Sequence, residues 1–374
     1  MIQTTDVHFK SWNIGASPGR QWETRNLSDP QLLYLANQSE PGLLRFGGSG
    51  NDGLHYGIGR PCPPGYPNPN DPNRDRCFNE THFSSFMTFA QAAGSRLVFG
   101  INIETKDPNT GLWDASEFRS MLQWALKNGL GHVFWGFELG NEQSRPENVS
   151  LDRWAGSGGY TPERAALDFE VLHKLLVELF PQLSTRPRIV GPDIAMEASF
   201  NSSWVDVPAA IVYMQQFVGN CSVLGVDLYA VTHHEYLKIQ EYATHPAPAE
   251  LLDMAGTIGR AMRAAIPQTT KLWAGEIGPH TGQSPGCDHT SLRWSNWASS
   301  FWYIDSMGLK AASGYDMFCR QDFVGIDYGL IDCATFNPLP DYYAGVLWGR
   351  TMGTKVLNVS STNSSSGGVH SYAQ

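Results

Sequence analysis

The chain has 374 residues, 41% of them hydrophobic and 17% charged, and a formal net charge of -10. Such a composition builds a large core and argues against disorder. The acidic balance argues against nucleic acid, which needs clustered Lys and Arg, and against a densely sulfated polyanion as substrate. No apolar run reaches the ~18 residues that a membrane-spanning helix needs.

Eight apolar runs of strand length follow one another along the chain: Val7–Ile14, Leu43–Ser49, Arg96–Ile103, Val133–Gly140, Arg188–Ile194, Val226–His234, Lys271–Gly278 and Ala311–Arg320. Helix-period segments lie between them. Asp114 with Glu117 predicts a capped helix burying Phe118, Leu122, Ala125 and Leu126 and ending at Gly129. Thr161-Pro162 predicts another start, with Leu172, Leu175, Leu176 and Leu179 on one face. Trp294, Trp297, Phe301 and Ile304 predict the buried stripe of a third, ended by Gly308. Strand and helix alternating eight times imply an α/β fold, the (β/α)8 barrel.

Two segments depart from that alternation. Arg60–Cys77 is a Pro-, Asn- and Asp-rich loop on the expected catalytic face, bracketed by Cys62 and Cys77, which a disulfide would clamp. Residues 354–374 are Ser- and Gly-rich and read as the start of a truncated accessory β-domain, after a catalytic barrel over 1–353.

The six Cys form no C-x-x-C pair, and H-E-x-x-H is absent, so neither a metal nor a cofactor is expected. N-x-[ST] sequons begin at Asn26, Asn37, Asn79, Asn148, Asn201, Asn220, Asn358 and Asn363. Sequons and an even Cys count suggest an oxidising, secretory setting: extracellular or cell wall, or lysosome or vacuole. Met1–Asn13 holds no apolar h-region, so a signal peptide is not expected in this chain.

In a (β/α)8 barrel the C-terminal strand ends converge on one face. Glu142, in "FWGFELGNEQ", follows the fourth strand, and Glu276, in "KLWAGEIG", ends the seventh. Two carboxylates facing each other across that mouth are what glycoside hydrolysis requires: one protonates the leaving oxygen, the other attacks the anomeric carbon. Glu142 is the candidate acid/base, Glu276 the candidate nucleophile, and Asn141 the candidate donor to the sugar 2-hydroxyl. Their expected separation is about 5–5.5 Å, the spacing for retention.

The segments "FELGNEQ", "GPDI", "THHEY", "KLWAGEIGPH", "RQDFVGIDYGLID" and "NPLPDYYAGVLWGRTMGTKVL" together resemble the heparanase-like β-glucuronidases, glycoside hydrolase family 79 of clan A, from about Phe9 to Leu357. The resemblance implies a (β/α)8 barrel with a β-sandwich domain, retaining hydrolysis of β-glucuronides, Glu142 as proton donor and Glu276 as nucleophile. It also implies Asn141, His233, Gln321 and Tyr328 in the glycone subsite; Ser49 and Tyr236 are further substrate-binding candidates. One of His233 and His234 should face the site and the other the wall, because successive strand side chains point to opposite sides. Arg320 reads as a buried structural cation beside Gln321.

The chain departs from some relatives at Gly15, at Ser49, at Glu235 within His233-His234-Glu235-Tyr236, and at Ile326 within Gly325-Ile326-Asp327-Tyr328. The tyrosine beside the nucleophile is therefore either replaced by Glu235 or supplied by Tyr236. Exo action on glucuronic acid caps is the leading expectation. Endo action of heparanase type is the alternative enzyme, with Arg60, Arg74 and Arg76 as its only nearby basic cluster. A catalytically inactive glycan-binding protein is the alternative of another class. The partner expected throughout is a carbohydrate, with no nucleic acid.

Overall fold

The computed structural model describes residues 3–15, 26–64, 77–144, 160–198, 207–237, 249–279, 296–325, 329–359 and 371–373. Eight parallel strands close a barrel: β1 (Lys10–Gly15), β2 (Leu43–Gly47), β3 (Arg96–Ile101), β4 (Phe134–Leu139), β5 (Arg188–Ala198), β6 (Leu228–Leu237), β7 (Lys271–Gly278) and β8 (Met317–Arg320). Neighbours pair in chain order and β8 closes on β1. Each strand is followed by a helix: α1 (Pro30–Ser39), α2 (Glu80–Ala92), α3 (Ser116–Lys127), α4 (Pro162–Leu179), α5 (Val207–Val223), α6 (Ala249–Ala265), α7 (Trp297–Ala312) and α8 (Pro340–Thr351). This is the expected (β/α)8 barrel. No helix among the described residues is long and apolar enough to cross a membrane.

The eight runs read from the sequence all become barrel strands, and the first and the last lose the most at their starts. The first begins at Lys10 because Asp6 takes the His8 N–H on its side chain and the Phe9 N–H on its carbonyl, which turns residues 7–9 out of the ladder. The last begins at Met317: residues 311–312 finish α7, and Gly314, at φ +94°, turns the chain back towards the barrel.

Two helix readings are corrected. α3 lacks the expected capping box: Asp114 accepts from the Ser116 N–H, but Glu117 turns away to take the Tyr56 N–H at 3.0 Å and His55 Nδ1 at 3.1 Å. Phe118, Leu122 and Ala125 are buried as expected. In α7 two members of the expected stripe are on the outside, while Ile304 packs half-buried against the core. Trp297 is 68% and Phe301 62% exposed, whereas Trp302, Tyr303, Met307 and Ala311 are buried; Trp294 lies outside the described residues. Buried polar bonding decides that rotation. Ser299 and Ser300 donate to Asp341 Oδ1 at 2.7 and 2.9 Å, and Arg320 Nη2 holds Asp341 Oδ2 at 2.6 Å. The face that satisfies Asp341 must point inward, whatever the opposite face carries.

Cys62 and Cys77 form the expected disulfide, with Cα atoms 5.9 Å apart. Cys221 and Cys319 are free and buried. Gln3–Thr4 pairs antiparallel with Lys355–Val356, and Leu357 N–H donates to the Ala373 carbonyl.

The Arg320–Asp341 pair yields a stability prediction. Arg320→Met leaves a buried carboxylate without its cation and should cost about 3–5 kcal/mol. Trp297→Ser, on the exposed face, should stay within about 0.5 kcal/mol of wild type. Urea unfolding of both variants checks the pair; equal losses would contradict the observed rotation of α7.

Candidate active site

Strand alternation decides which side chains enter the barrel. Leu43, Val98, Trp135, Val190, Ala230, Trp273, Met317 and Cys319 form an apolar plug inside it. The inward series continues towards the C-terminal mouth with Asn13 from β1, Arg45 from β2, Glu138 from β4, Thr232, His234 and Tyr236 from β6, and Glu276 from β7. Beyond the end of β4 the turn residues Asn141 and Glu142, and from a bulge within β5 Asp193, join them. The β5–β6 register slips between Gly191 and Ile194, which takes Asp193 out of the regular alternation.

Arg45, only 1% exposed, organises this layer. Its Nε donates to Glu138 Oε2 at 2.5 Å, its Nη2 to Asp193 Oδ2 at 2.7 Å, and its Nη1 to Glu276 Oε2 at 3.0 Å. Nη2 also lies 3.4 Å from Asn141 Oδ1. The Tyr236 hydroxyl donates to Glu276 Oε1, and Asn13 Nδ2 reaches Glu276 Oε2 at 3.4 Å. Glu276 is therefore gripped at both oxygens by donors from three other strands.

Glu142 is held differently. Its Oε1 lies 2.9 Å from His234 Nδ1, and its N–H donates to the Asp193 carbonyl at 3.1 Å. On its other side, His234 Nε2 is 3.3 Å from Asp193 Oδ1. Glu142 and Asp193 sit at φ +55° and +56°, a conformation that costs an L residue about 1–2 kcal/mol. One oxygen of Glu142, one of Glu276 and a ring nitrogen of His234 lie within 4.8 Å of one another.

The remaining sequence candidates separate into those brought to this cluster and those that are not. Asn141 Nδ2 donates to Ser49 Oγ at 3.2 Å, so these two adjoin Glu142. Gln321 Oε1 accepts from Asn13 Nδ2, and its buried Nε2 has no partner among the described residues. Tyr236, not Glu235, stands at the nucleophile candidate; Glu235 points outward and pairs with Lys310 at 2.5 Å.

His233 is a correction. It alternates outward, and its Nε2 lies 2.7 Å from the Tyr315 hydroxyl; His234 faces the cluster instead. Arg320 is the buried structural cation anticipated, lying 5.2 Å over the Trp302 ring. Tyr328 and Ile326 lie outside the described residues, as do Arg74 and Arg76.

Sequence reasoning missed Arg45, Asp193, Glu138 and Asn13. A signal was present in two of them: Arg45 and Glu138 each interrupt an otherwise apolar, fully buried strand, where a charge requires a partner.

The charges perturb one another. Burial works against His234 protonation, but the Asp193 and Glu276 carboxylates and the hydrogen bonds to Asp193 and Glu142 outweigh it and raise its pKa to about 10. Burial pushes the Glu138 carboxyl up to about 8, against the pull of Arg45. Burial also opposes ionisation of Asp193, but Arg45 and His234 overcome it and hold that carboxyl well below the usual range.

A closed parallel barrel with two carboxylates at the ends of β4 and β7 is the arrangement of a barrel glycoside hydrolase. Residues 24–308 match the family model described as glycosyl hydrolase family 79, N-terminal domain, and the chain belongs to that family. It is 27% identical over 367 residues to the baicalin-β-D-glucuronidase of Scutellaria baicalensis, covering 89% of this chain and 63% of that protein. With the hyaluronoglucuronidase of Hirudo nipponia it shares 25% over 370 residues, covering 92% and 69%. Among solved structures, the 4-O-α-L-rhamnosyl-β-D-glucuronidase from Fusarium oxysporum 12S aligns with a TM-score of 0.60 at 15% identity, covering 93% of this chain and 70% of that one. At that identity the likeness speaks for the fold.

Two predictions follow from this geometry. Tyr236→Phe removes one charge-assisted hydrogen bond from Glu276 and should lower kcat by about 10- to 100-fold on a β-glucuronide, with folding retained. Steady-state kinetics check it; an unchanged kcat would show that the hydroxyl does no more than pack.

The second concerns pH. A raised folded-state pKa of His234 contributes stability that is present below about 6.5 and fades as pH climbs towards about 10. Glu138 keeps, up to about 8, a proton that the unfolded chain releases near 4.5. Both make the unfolding free energy fall between pH 7 and 8, by about 1.4 kcal/mol per proton and pH unit. Urea titrations at the two pH values test this; equal or greater stability at pH 8 would contradict the assignment.

Proposed function

We propose that this chain is the catalytic barrel of a retaining β-glucuronidase, with Glu276 as nucleophile and Glu142 as acid/base. The observation that carries the proposal is the pairing itself: oxygens of the two residues within 4.8 Å, each held by a different set of partners. Nearest oxygens that close support the short spacing of retaining enzymes, about 5–5.5 Å between carboxyl groups, over the about 6.5–9.5 Å that inverting enzymes use to admit a water.

Glu276, with donors fixing both oxygens, is oriented to attack the anomeric carbon. As the new Oε–C1 bond forms, the C1–O bond to the aglycone breaks, and Glu142 gives its proton to the departing oxygen. In the second half, Glu142 takes a proton from water, which attacks C1 and releases Glu276. Asn141, fixed by Ser49 and Arg45, supplies a donor beside Glu142 for the sugar 2-hydroxyl, a bond that strengthens as the ring flattens.

Glucuronide as substrate is supported by family membership and by the named activities of the relatives. The Gln321 amide, with its Nε2 buried and without a protein partner among the described residues, is a candidate donor to the uronate carboxylate. Exo action is proposed on the same ground as before: the basic groups of a long polyanion cleft are few and the net charge is -10. The disulfide and the eight sequons support an oxidising, secretory compartment. The pairing of Gln3–Thr4 with Lys355–Val356 supports reading 354–374 as the start of an accessory β-domain.

Two variants test the roles. Glu142→Ala should lose about 10²–10⁴-fold in kcat/KM on glucuronides with poor leaving groups. With an activated aryl glucuronide it should still form the intermediate, and azide should restore turnover as the β-glucuronyl azide. Glu276→Ala should lose turnover on every substrate. An α-azide from Glu142→Ala would mean that the two roles are exchanged. An active wild type whose turnover survives both substitutions would place the chemistry elsewhere.

A further inference from the structure

Among the described residues, four besides glycine have positive φ, and two of them, Glu142 and Asp193, are bonded to each other. The bond runs from the Glu142 N–H to the Asp193 carbonyl at 3.1 Å. A second path joins the same two residues through side chains: Asp193 Oδ1 to His234 Nε2 at 3.3 Å, and His234 Nδ1 to Glu142 Oε1 at 2.9 Å. Two links, one main-chain and one through an imidazole, thus tie the acid/base candidate to a residue on the next strand that makes none of the bonds of the reaction.

Asp193 is itself fixed. Thr232 Oγ1 donates to its Oδ1 at 2.6 Å and accepts its N–H at 2.9 Å, while Arg45 Nη2 donates to its Oδ2 at 2.7 Å. A bulge in β5 at this point turns the side chain inward, where a regular strand would not place it. The residue spends backbone strain, a bulge and a buried charge to stand where it does.

We propose that Asp193 is a positioning residue for Glu142, holding its backbone through the carbonyl contact and its carboxyl through His234. The proposal rests on reading Glu142 as the acid/base. A neutral imidazole has one N–H and can donate to only one of its two carboxylate neighbours; the cation donates to both. With Asp193 ionised, His234 stays charged and bonded at both nitrogens, its ring cannot turn, and Glu142 Oε1 is pinned. The proton that Glu142 transfers is then carried on Oε2.

The charged and titratable groups around His234 come from four strands and one turn: Arg45 of β2, whose Nη2 is 3.4 Å from Nε2; Glu138 of β4; Glu142 after it; Asp193 of β5; and Glu276 of β7, whose Oε2 is 3.9 Å from Nδ1. Arg45 faces the same ring nitrogen, so removing the Asp193 charge lets His234 lose its Nε2 proton and accept there from Arg45, while Nδ1–H still faces Glu142. Above the pH range of an ordinary histidine Glu142 is then held by a weaker neutral donor in place of a cation fixed at both nitrogens.

Asp193→Asn keeps the size and the main-chain link and removes the charge. Thr232→Val loosens Asp193 without changing any charge, and serves if Asp193→Asn folds poorly. Each is assayed on a series of aryl β-glucuronides with leaving groups of increasing pKa. The expected result is a loss that grows with leaving-group pKa. Asp193→Asn should lose at least tenfold with the poorest leaving group and less than about threefold in the glycosylation step with the best. Thr232→Val should move the same way by less. In parallel, histidine-labelled protein followed by NMR should show one buried ring that stays charged to pH 9 in wild type and titrates near pH 6–7 in Asp193→Asn.

A loss equal across the series, or no loss, would overturn the proposal, as would an unchanged His234 titration. Glu142→Gln run beside them separates the two readings. If it too lacks a leaving-group-dependent loss, the assignment of Glu142 has failed; if it shows one and the Asp193 and Thr232 variants do not, only the positioning role has.

Discussion

A guanidinium buried inside the barrel is the constraint on which the rest of this site depends. Arg45 is 1% exposed and projects from β2 above an aromatic and aliphatic plug, where no water can pay its desolvation. Carboxyl groups must surround it, and they must come from other strands, because a strand sends one side chain per layer inward. Asp193 from β5 and Glu276 from β7 supply the charge, and Glu138 from β4, whose burial favours its protonated form, supplies a further acceptor. His234 adds a second cation facing Asp193 and Glu142. The nucleophile candidate is therefore one corner of a charge network that spans half the barrel. Removing any one member leaves a buried charge without its partner, which costs more than the pair itself contributes.

The two carboxyl groups are mounted differently. Glu276 sits on a strand, bonded to Arg45 and Tyr236 through both oxygens. Glu142 sits just beyond its strand in a left-handed conformation, with His234 and the Asp193 carbonyl as anchors. A group that must donate a proton and later take one back needs its carboxyl held in place with one oxygen left to carry that proton. A nucleophile works best when its approach line is fixed.

Much of the scaffold was legible in the sequence, because parallel strands buried on both faces read as apolar runs and the turns between them carry Gly, Asp and Thr. Glu142 and Glu276 stood out as candidates for a related reason: each stands at the end of an apolar run, where a carboxyl group faces the mouth of a barrel. What could not be read was whatever depends on a distant partner. Arg45 looks like an interruption of β2 until Glu138, 93 residues on, and Asp193, 148 residues on, are placed against it. The outward turn of Trp297 and Phe301 likewise follows from Asp341, which lies on another helix and draws Ser299 and Ser300 inward. His233 and His234 were indistinguishable in sequence, since which of two neighbours faces the lumen depends on a register that the apolar run alone does not fix.

The chain spans 63% of the length of the baicalin-β-D-glucuronidase it matches, so a functional assay must ask what this barrel does in itself. The most direct measurement is the stereochemistry of the first product. An aryl β-glucuronide hydrolysed in deuterated buffer is followed by proton NMR before the released sugar mutarotates. Double displacement through Glu276 predicts that β-glucuronic acid appears first and the α-anomer only later. The α-anomer appearing first would mean a single displacement by water, and would contradict the roles assigned to Glu142 and Glu276.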